Sequence, residues 1–238
     1  MNLISEASDA SHENISSLFR EIESILEQQS QPSNKSSLRI LINNVGMGQN
    51  GKRRLGDISV KEEGGLFEEI VQVNCIYPIL LTRAFLKALK VNSNERVAII
   101  NVASCAALTP ATPFSSLYAA TKSFNRSFSI SLSGEMAAKR LLHPERCAPV
   151  DVICVNPGFV ATNMTKMTES LYCCTASQHS RIVFSKITSS PVGVIDIIPH
   201  WKHSLMWSIL AFLVVLIPSE WLLVAIVMPA VLKFSGKY

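Results

Sequence analysis

Residues 96–122 read RVAIINVASCAALTPATPFSSLYAATK, and this stretch decides the fold. It opens on an apolar, β-rich run, Arg96 to Ala103, that ends at Ser104. Such a run reads as a buried strand. Fourteen residues beyond Ser104 stands Tyr118-Ala119-Ala120-Thr121-Lys122, near the start of a helical stretch from Ser115 to Leu141. A spacing of four places the phenol and the ammonium on one helix face, one turn apart. An unperturbed tyrosine, with a pKa of about 10, is a poor proton donor or acceptor at neutral pH. A nearby positive charge favours the phenolate and lowers that value. Serine, tyrosine and lysine together can exchange a proton with a carbonyl or alcohol oxygen near neutral pH.

The flanking segments extend this pattern. Upstream, Leu38 to Ile42 is a short buried-strand run that closes on Asn43-Asn44, and downstream Val150 to Val155 closes on Asn156-Pro157-Gly158. Leu66 to Leu89 is amphipathic and helical, interrupted by Asn74 and Pro78. Residues 11–29 carry Ile15, Leu18, Phe19, Ile22, Ile25 and Leu26 at helical spacing. Strands alternating with helices predict an α/β fold, a doubly wound parallel sheet built from right-handed βαβ units. Ligands in such sheets bind beyond the carboxyl ends of the strands. Asn43, Ser104 and Pro157 all fall at such ends.

Composition narrows the class. At 238 residues, 48% apolar and 17% charged, the chain is too apolar for disorder and can bury a large core. The net charge of +4 is dispersed, with Lys52-Arg53-Arg54 the one tight basic cluster, so no nucleic-acid partner is implied. The six cysteines (Cys75, Cys105, Cys147, Cys154, Cys173 and Cys174) show no CxxC. They read as reduced thiols of a cytosol-facing protein. Neither they nor His143, His179, His200 and His203 have metal-ligand spacing. The amino terminus is polar and acidic, so no signal peptide is expected. From Leu205 to Phe234 the chain is almost wholly apolar, split by Pro218-Ser219-Glu220. Neither half reaches the ~20 residues of a single span. A tilted span, a hairpin in one leaflet and an apolar helix pair packed on a partner all fit; membrane attachment is the expectation.

Gly46-Met47-Gly48-Gln49-Asn50-Gly51 spells GxGxxG after a strand, but a dinucleotide fingerprint must open a helix. The following KRRLGDIS has no apolar periodicity, so pyrophosphate binding is not expected there. A serine hydrolase built on Ser104 is equally poor, since no G-x-S-x-G elbow exists.

Taken together, the motifs resemble the short-chain dehydrogenase/reductase family. Asn43-Asn44-Val45-Gly46 resembles its NNAG element, and Asn74 its helical asparagine. Ser104 resembles its strand-end serine, Tyr118-x-x-x-Lys122 its signature, and Pro157-Gly158-x-x-x-Thr162 its PG motif. Order and approximate spacing agree over residues 38–165. The form Asn-Asn-Val-Gly-Met and the apolar tail are most similar to the membrane-associated branch, which contains very-long-chain 3-oxoacyl-CoA reductases and 17β-hydroxysteroid dehydrogenases.

The resemblance implies a Rossmann-like fold and an NADP-dependent oxidoreductase, with NAD not excluded. The enzyme so implied would act on a carbonyl or hydroxyl of a lipid-like small molecule at the cytosolic face of the endoplasmic reticulum membrane. It implies Asn74, Ser104, Tyr118 and Lys122 as catalytic residues, with Tyr118 the general acid, Ser104 on the substrate oxygen and Asn74 holding a relay water. It implies Asn43, Lys122, Pro157, Gly158, Val160 and Thr162 as cofactor contacts, and no metal. Ser104 lies one residue further from Tyr118 than is usual, which leaves Cys105 at the usual distance; the strand-end place favours Ser104. The family's opening strand and TGxxxGxG loop have no counterpart. The expectation is therefore an incomplete domain over 1–204, lacking the first βαβ portion, and a membrane-associating segment over 205–238. A catalytically inactive relative that docks on a membrane or a partner is the alternative, with a homodimer or heterodimer left open.

Overall fold

The computed structural model describes residues 39–49, 54–58, 65–89, 96–109, 112–144, 149–189 and 196–216, with residues 20–22, 24, 25 and 28 near the amino terminus. Four strands form one parallel sheet: β1 (Ile40–Asn43), β2 (Val97–Val102), β3 (Val150–Val155) and β6 (Asp196–Ile197), in the order β1-β2-β3-β6. The register pairs Ile42 with Ile100 and Asn101 with Cys154. A second, two-stranded sheet pairs β4 (Phe159–Ala161) with β5 (Cys173–Thr175). The doubly wound parallel sheet of the sequence reading is thus the observed architecture.

The helices are α1 (Leu66–Val71), α2 (Tyr77–Ala88), α3 (Ser116–Leu142), α4 (Ala176–Ser189) and α5 (Trp201–Leu216). On one sheet face Phe85 of α2 and Leu132 of α3 close over Val97, Ile99 and Val152. On the other, Val183 of α4 packs on Ile100, Ile153, Val155 and Ile197. Burying each such side chain contributes about 1.5–3 kcal/mol. Central strands apolar on both faces are what a parallel sheet between two helix layers requires. Ile40 and Ile42 of β1, the terminal strand among those described, are exposed.

A π turn, Gln72–Ile76, joins α1 to α2 and carries Asn74 at its centre. Pro78 follows in the first turn of α2. Proline has no N–H to give the carbonyl four residues back, which is that of Asn74. The interruption expected from Asn74 and Pro78 is therefore real, and such bulges gather at functional sites. Among the described residues one helical run, Leu66–Ala88, is long and apolar enough to cross a membrane. Ile70, Asn74 and Phe85 are buried within the fold, so we read it as a core helix.

A buried polar ladder crosses the sheet. Asn43 Nδ2 donates to Asn101 Oδ1 at 2.7 Å and to Thr82 Oγ1 at 3.1 Å. Asn101 Nδ2 donates to Ser129 Oγ at 2.9 Å, and that hydroxyl donates to the Asn125 carbonyl. Pairing satisfies the Asn43 and Asn101 amide donors and the Ser129 hydroxyl where burial alone would be costly, while Asn43 Oδ1 stays unpaired. Helix α5 begins at Trp201 and runs through Leu205 without a break. The described part of the 11–29 segment is helical; the rest, Cys147, and the chain beyond Leu216 lie outside the described residues.

Candidate active site

The site is built on the carboxyl ends of β1, β2 and β3. Ser104 stands two residues past β2 and caps a short 3-10 turn, its Oγ accepting from Ala106 N at 3.1 Å. Tyr118 and Lys122 face it from the first turns of α3. The loop before α3 closes through Phe114, whose φ of 62° is unusual for a residue with a side chain. The Ser104 side chain is near enough to the Tyr118 phenol to favour its ionised form. Lys122 is buried; its Nζ donates to the Val102 carbonyl at 3.0 Å and lies 5.8 Å from the Tyr118 ring centre.

Electrostatics differ from the sequence expectation in one respect. Burial pushes the Tyr118 phenol up from its ordinary value, and the Ser104 side chain only partly opposes this. Burial also pulls Lys122 down to about 8. Desolvation disfavours both charged forms, so the phenol keeps its proton at neutral pH. Cys105 is not a rival to Ser104. It is buried, its thiol donates to the Asn156 carbonyl at 3.3 Å, and burial pushes it up to about 12.

Asn74 is fully buried and holds the loop after β1. Its Oδ1 accepts from Met47 N, and its Nδ2 donates to Met47 O, both at 2.8 Å; Nδ2 also donates to Thr121 Oγ1 at 2.9 Å. Thr121 in turn donates to the Tyr118 carbonyl at 2.8 Å. The side chain thus spends its donors on the fold, and Pro78 offers no N–H to the Asn74 main-chain carbonyl. Replacing Asn74 by alanine should cost about 2–4 kcal/mol by orphaning buried groups. Urea unfolding measures the loss, and hydrogen exchange should show the Met47 amide deprotected; unchanged Met47 exchange would contradict the assignment.

The GxGxxG letters find a different use. A Cβ on Gly46 would lie 3.0 Å from Lys122 Nζ and 3.5 Å from Asn74 Oδ1, and one on Gly48 3.7 Å from the Tyr118 ring. Gly46 lets the backbone come close to Lys122, whereas a Cβ at 48 would meet the Tyr118 ring in ordinary contact; Asn50 and Gly51 lie outside the described residues. The Pro157 carbonyl accepts from Cys105 N at 2.8 Å, which sets the Pro157-Gly158 turn beside Ser104. Val160 is in β4, its carbonyl accepting from Thr165 Oγ1 at 2.6 Å; the Thr162 backbone N–H donates to that same hydroxyl at 3.2 Å. Asn43 stands apart, its amide committed to the buried ladder.

The structure thus joins Asn74, Ser104, Tyr118 and Lys122 in one cluster, with Pro157-Gly158 at its edge. Sequence reading missed Thr121 and Met47 as links. Thr121 had a signal, lying between the two signature residues; Met47 contributes only backbone and had none. For a nicotinamide nucleotide the fit is favourable. Val102 takes one of the three Lys122 donors, and the others can meet ribose hydroxyls beside the Gly46 approach.

A parallel α/β sheet with a serine, a tyrosine and a lysine gathered at its strand ends defines a Rossmann-type oxidoreductase architecture. The short chain dehydrogenase family model matches residues 11–171, and the chain belongs to that family. It is similar to the very-long-chain 3-oxoacyl-CoA reductase of Schizosaccharomyces pombe, 28% identical over 181 residues, which cover 72% of this chain and 49% of that protein. A very-long-chain 3-oxoacyl-CoA reductase-like protein of Arabidopsis thaliana is 29% identical over 184 residues, covering 76% of this chain and 53% of that one. The chain spans about half the length of these relatives. Among solved structures, the fold resembles a short-chain dehydrogenase from Sphingobium yanoikuyae in complex with NADPH. The TM-score is 0.59 at 19% identity, over 82% of this chain and 68% of that one. It also resembles a 4-hydroxyisoleucine dehydrogenase complexed with NADH, with a TM-score of 0.54 at 22% identity, over 80% and 77% of the two chains.

Proposed function

We propose that the protein is an NAD(P)H-dependent reductase of a lipid carbonyl, a 3-oxoacyl thioester ahead of a 17-ketosteroid, with NADPH ahead of NADH. The observation that carries the reading is the Ser104–Tyr118–Lys122 cluster, with Lys122 buried and Thr121 linking the helix to Asn74. Tyr118 holds its proton at neutral pH, the form a general acid needs for carbonyl reduction. Ser104, beside the phenol, donates to the same carbonyl oxygen as charge develops there. Lys122 binds the ribose and steadies the phenolate left behind. The carbonyl of Asn74 holds the water that returns a proton. A bound nicotinamide supplies the hydride. Lys122, Pro157, Gly158, Val160 and Thr162 are the residues that hold it; Asn43 acts from the ladder below.

Similarity to a very-long-chain 3-oxoacyl-CoA reductase and a reductase-like protein supports the thioester. We place the protein on the endoplasmic reticulum membrane, facing the cytosol. Supporting this, α5 exposes Trp201, Leu205, Ile209 and Phe212 at spacings of three and four. That apolar stripe leads into the Trp221–Phe234 stretch. The test is NADPH consumption by the full chain in phosphatidylcholine vesicles, offered 3-oxoacyl-CoAs of increasing length and a 17-ketosteroid. Turnover should rise with acyl length and exceed that on the steroid; indifference to both would remove the substrate assignment.

A further inference from the structure

Three histidines surround the junction of the last helix with the fold: His179 in α4, His200 just before α5, and His203 in its first turn. The His200 and His203 rings are 5.0 Å apart. His203 is the innermost, 1% exposed. Its Nε2 lies 2.9 Å from the Tyr172 carbonyl oxygen. A carbonyl only accepts, so Nε2 carries the proton and donates. The ring edge meets Gly158: a Cβ there would lie 2.5 Å from Nδ1 and 2.6 Å from Cγ. Any side chain at 158 would evict the imidazole. Gly158 has no left-handed φ, so close approach, not backbone conformation, is what demands glycine here.

Two features separate this contact from ordinary packing. Nδ1 is buried with no partner. An orphaned acceptor costs free energy that a phenylalanine of similar size would avoid, but phenylalanine could not bond the Tyr172 carbonyl. The two points His203 touches also matter. Gly158 leads into β4 and Tyr172 leads into β5, whose pairing starts at Phe159 and Cys173. One side chain therefore ties both strands of the small sheet to α5.

We infer that His203 is the positioning residue of the cofactor-binding turn, holding Pro157-Gly158 and the β4–β5 sheet in register by filling the space above Gly158 and bonding Tyr172. The inference rests on the cofactor reading above, which assigns Pro157, Gly158, Val160 and Thr162 to the nicotinamide end.

The experiment compares H203A, H203Q, G158A and G158A/H203A in the full chain. One arm is an NADPH titration with steady-state kinetics; the other is amide hydrogen exchange without nucleotide. H203A should raise exchange at 159–161 and 173–175, weaken NADPH binding about tenfold and lower kcat as well, since a displaced contact at the nicotinamide end costs reacting geometry. H203Q keeps a donor for Tyr172 and should recover most of the affinity; it also decides the matter if the alanine variant does not fold. G158A should be as damaging as H203A, and the double variant no worse than either, because the methyl then occupies the vacated space. Wild-type exchange and affinity in H203A, or additive losses in the double variant, would overturn the inference. If the wild-type chain binds no NADPH, the cofactor reading fails, while the exchange arm still decides the clamp.

Discussion

Replacing Tyr118 by phenylalanine should lower kcat by about 10²–10⁴-fold, the usual contribution of a positioned acid, and leave NADPH affinity within about twofold. The substitution removes one oxygen and keeps the ring, so the approach of Gly48 to that ring survives. Ser104 loses the phenol but keeps its bond from Ala106 N at 3.1 Å, so the strand end stays in place. A residual rate is expected from Ser104 and from substrate positioning. Steady-state kinetics on the best 3-oxoacyl-CoA measure the effect, beside a separate nucleotide titration. A kcat within about tenfold of wild type would mean that another group supplies the proton.

Lys122→Met should have two effects of opposite sign. Nucleotide affinity and turnover should each fall, turnover by about 10²-fold or more, because the variant has no donor for a ribose and no charge to steady a phenolate. Stability at pH 7 should rise. Lys122 is buried and its pKa is held at about 8, against 10.5 for an unperturbed lysine. Below about 8 both folded and unfolded chains carry the proton, and the full burial penalty is present. Between about 8 and 10.5 the unfolded chain binds more protons, so stability rises with pH and the penalty fades. The penalty is about 3 kcal/mol. Losing the bond to the Val102 carbonyl returns about 1 kcal/mol of it. The variant should therefore be about 1–2 kcal/mol more stable at pH 7, with the gap narrowing by pH 10. Urea unfolding at the two pH values checks this. A variant less stable than wild type at both would show that Lys122 holds the fold and does not burden it. Stability given up at a reactive group is a common feature of active sites.

Much of this was legible because it is local. The strand limits at Val150 and Val155, and the helix over Tyr118 and Lys122, follow from apolar periodicity and one-turn spacing. An interruption of the helix was readable from Asn74 and Pro78, though not that it takes the form of a π turn. Contacts between elements were not. Nothing in the sequence says that Gly46 lies against Lys122, or that both donors of Asn74 go to Met47 and Thr121. β4, β5 and β6 are two or three residues long, too short for a period to show. The direction of the Tyr118 shift also escaped, because sequence places the lysine one turn away but gives no measure of how far both groups are removed from water. His203 showed only a lack of metal-ligand spacing for the same reason: its partners, Gly158 and Tyr172, are 45 and 31 positions away and meet it only in the fold.

The most direct test of the central claim is a calorimetric titration of the purified full chain with NADPH. One-to-one saturable binding is predicted, retained in Tyr118→Phe and weakened in Lys122→Met. No saturable binding at millimolar nucleotide, by wild type and Tyr118→Phe alike, would contradict the assignment of this cluster as a reductase site.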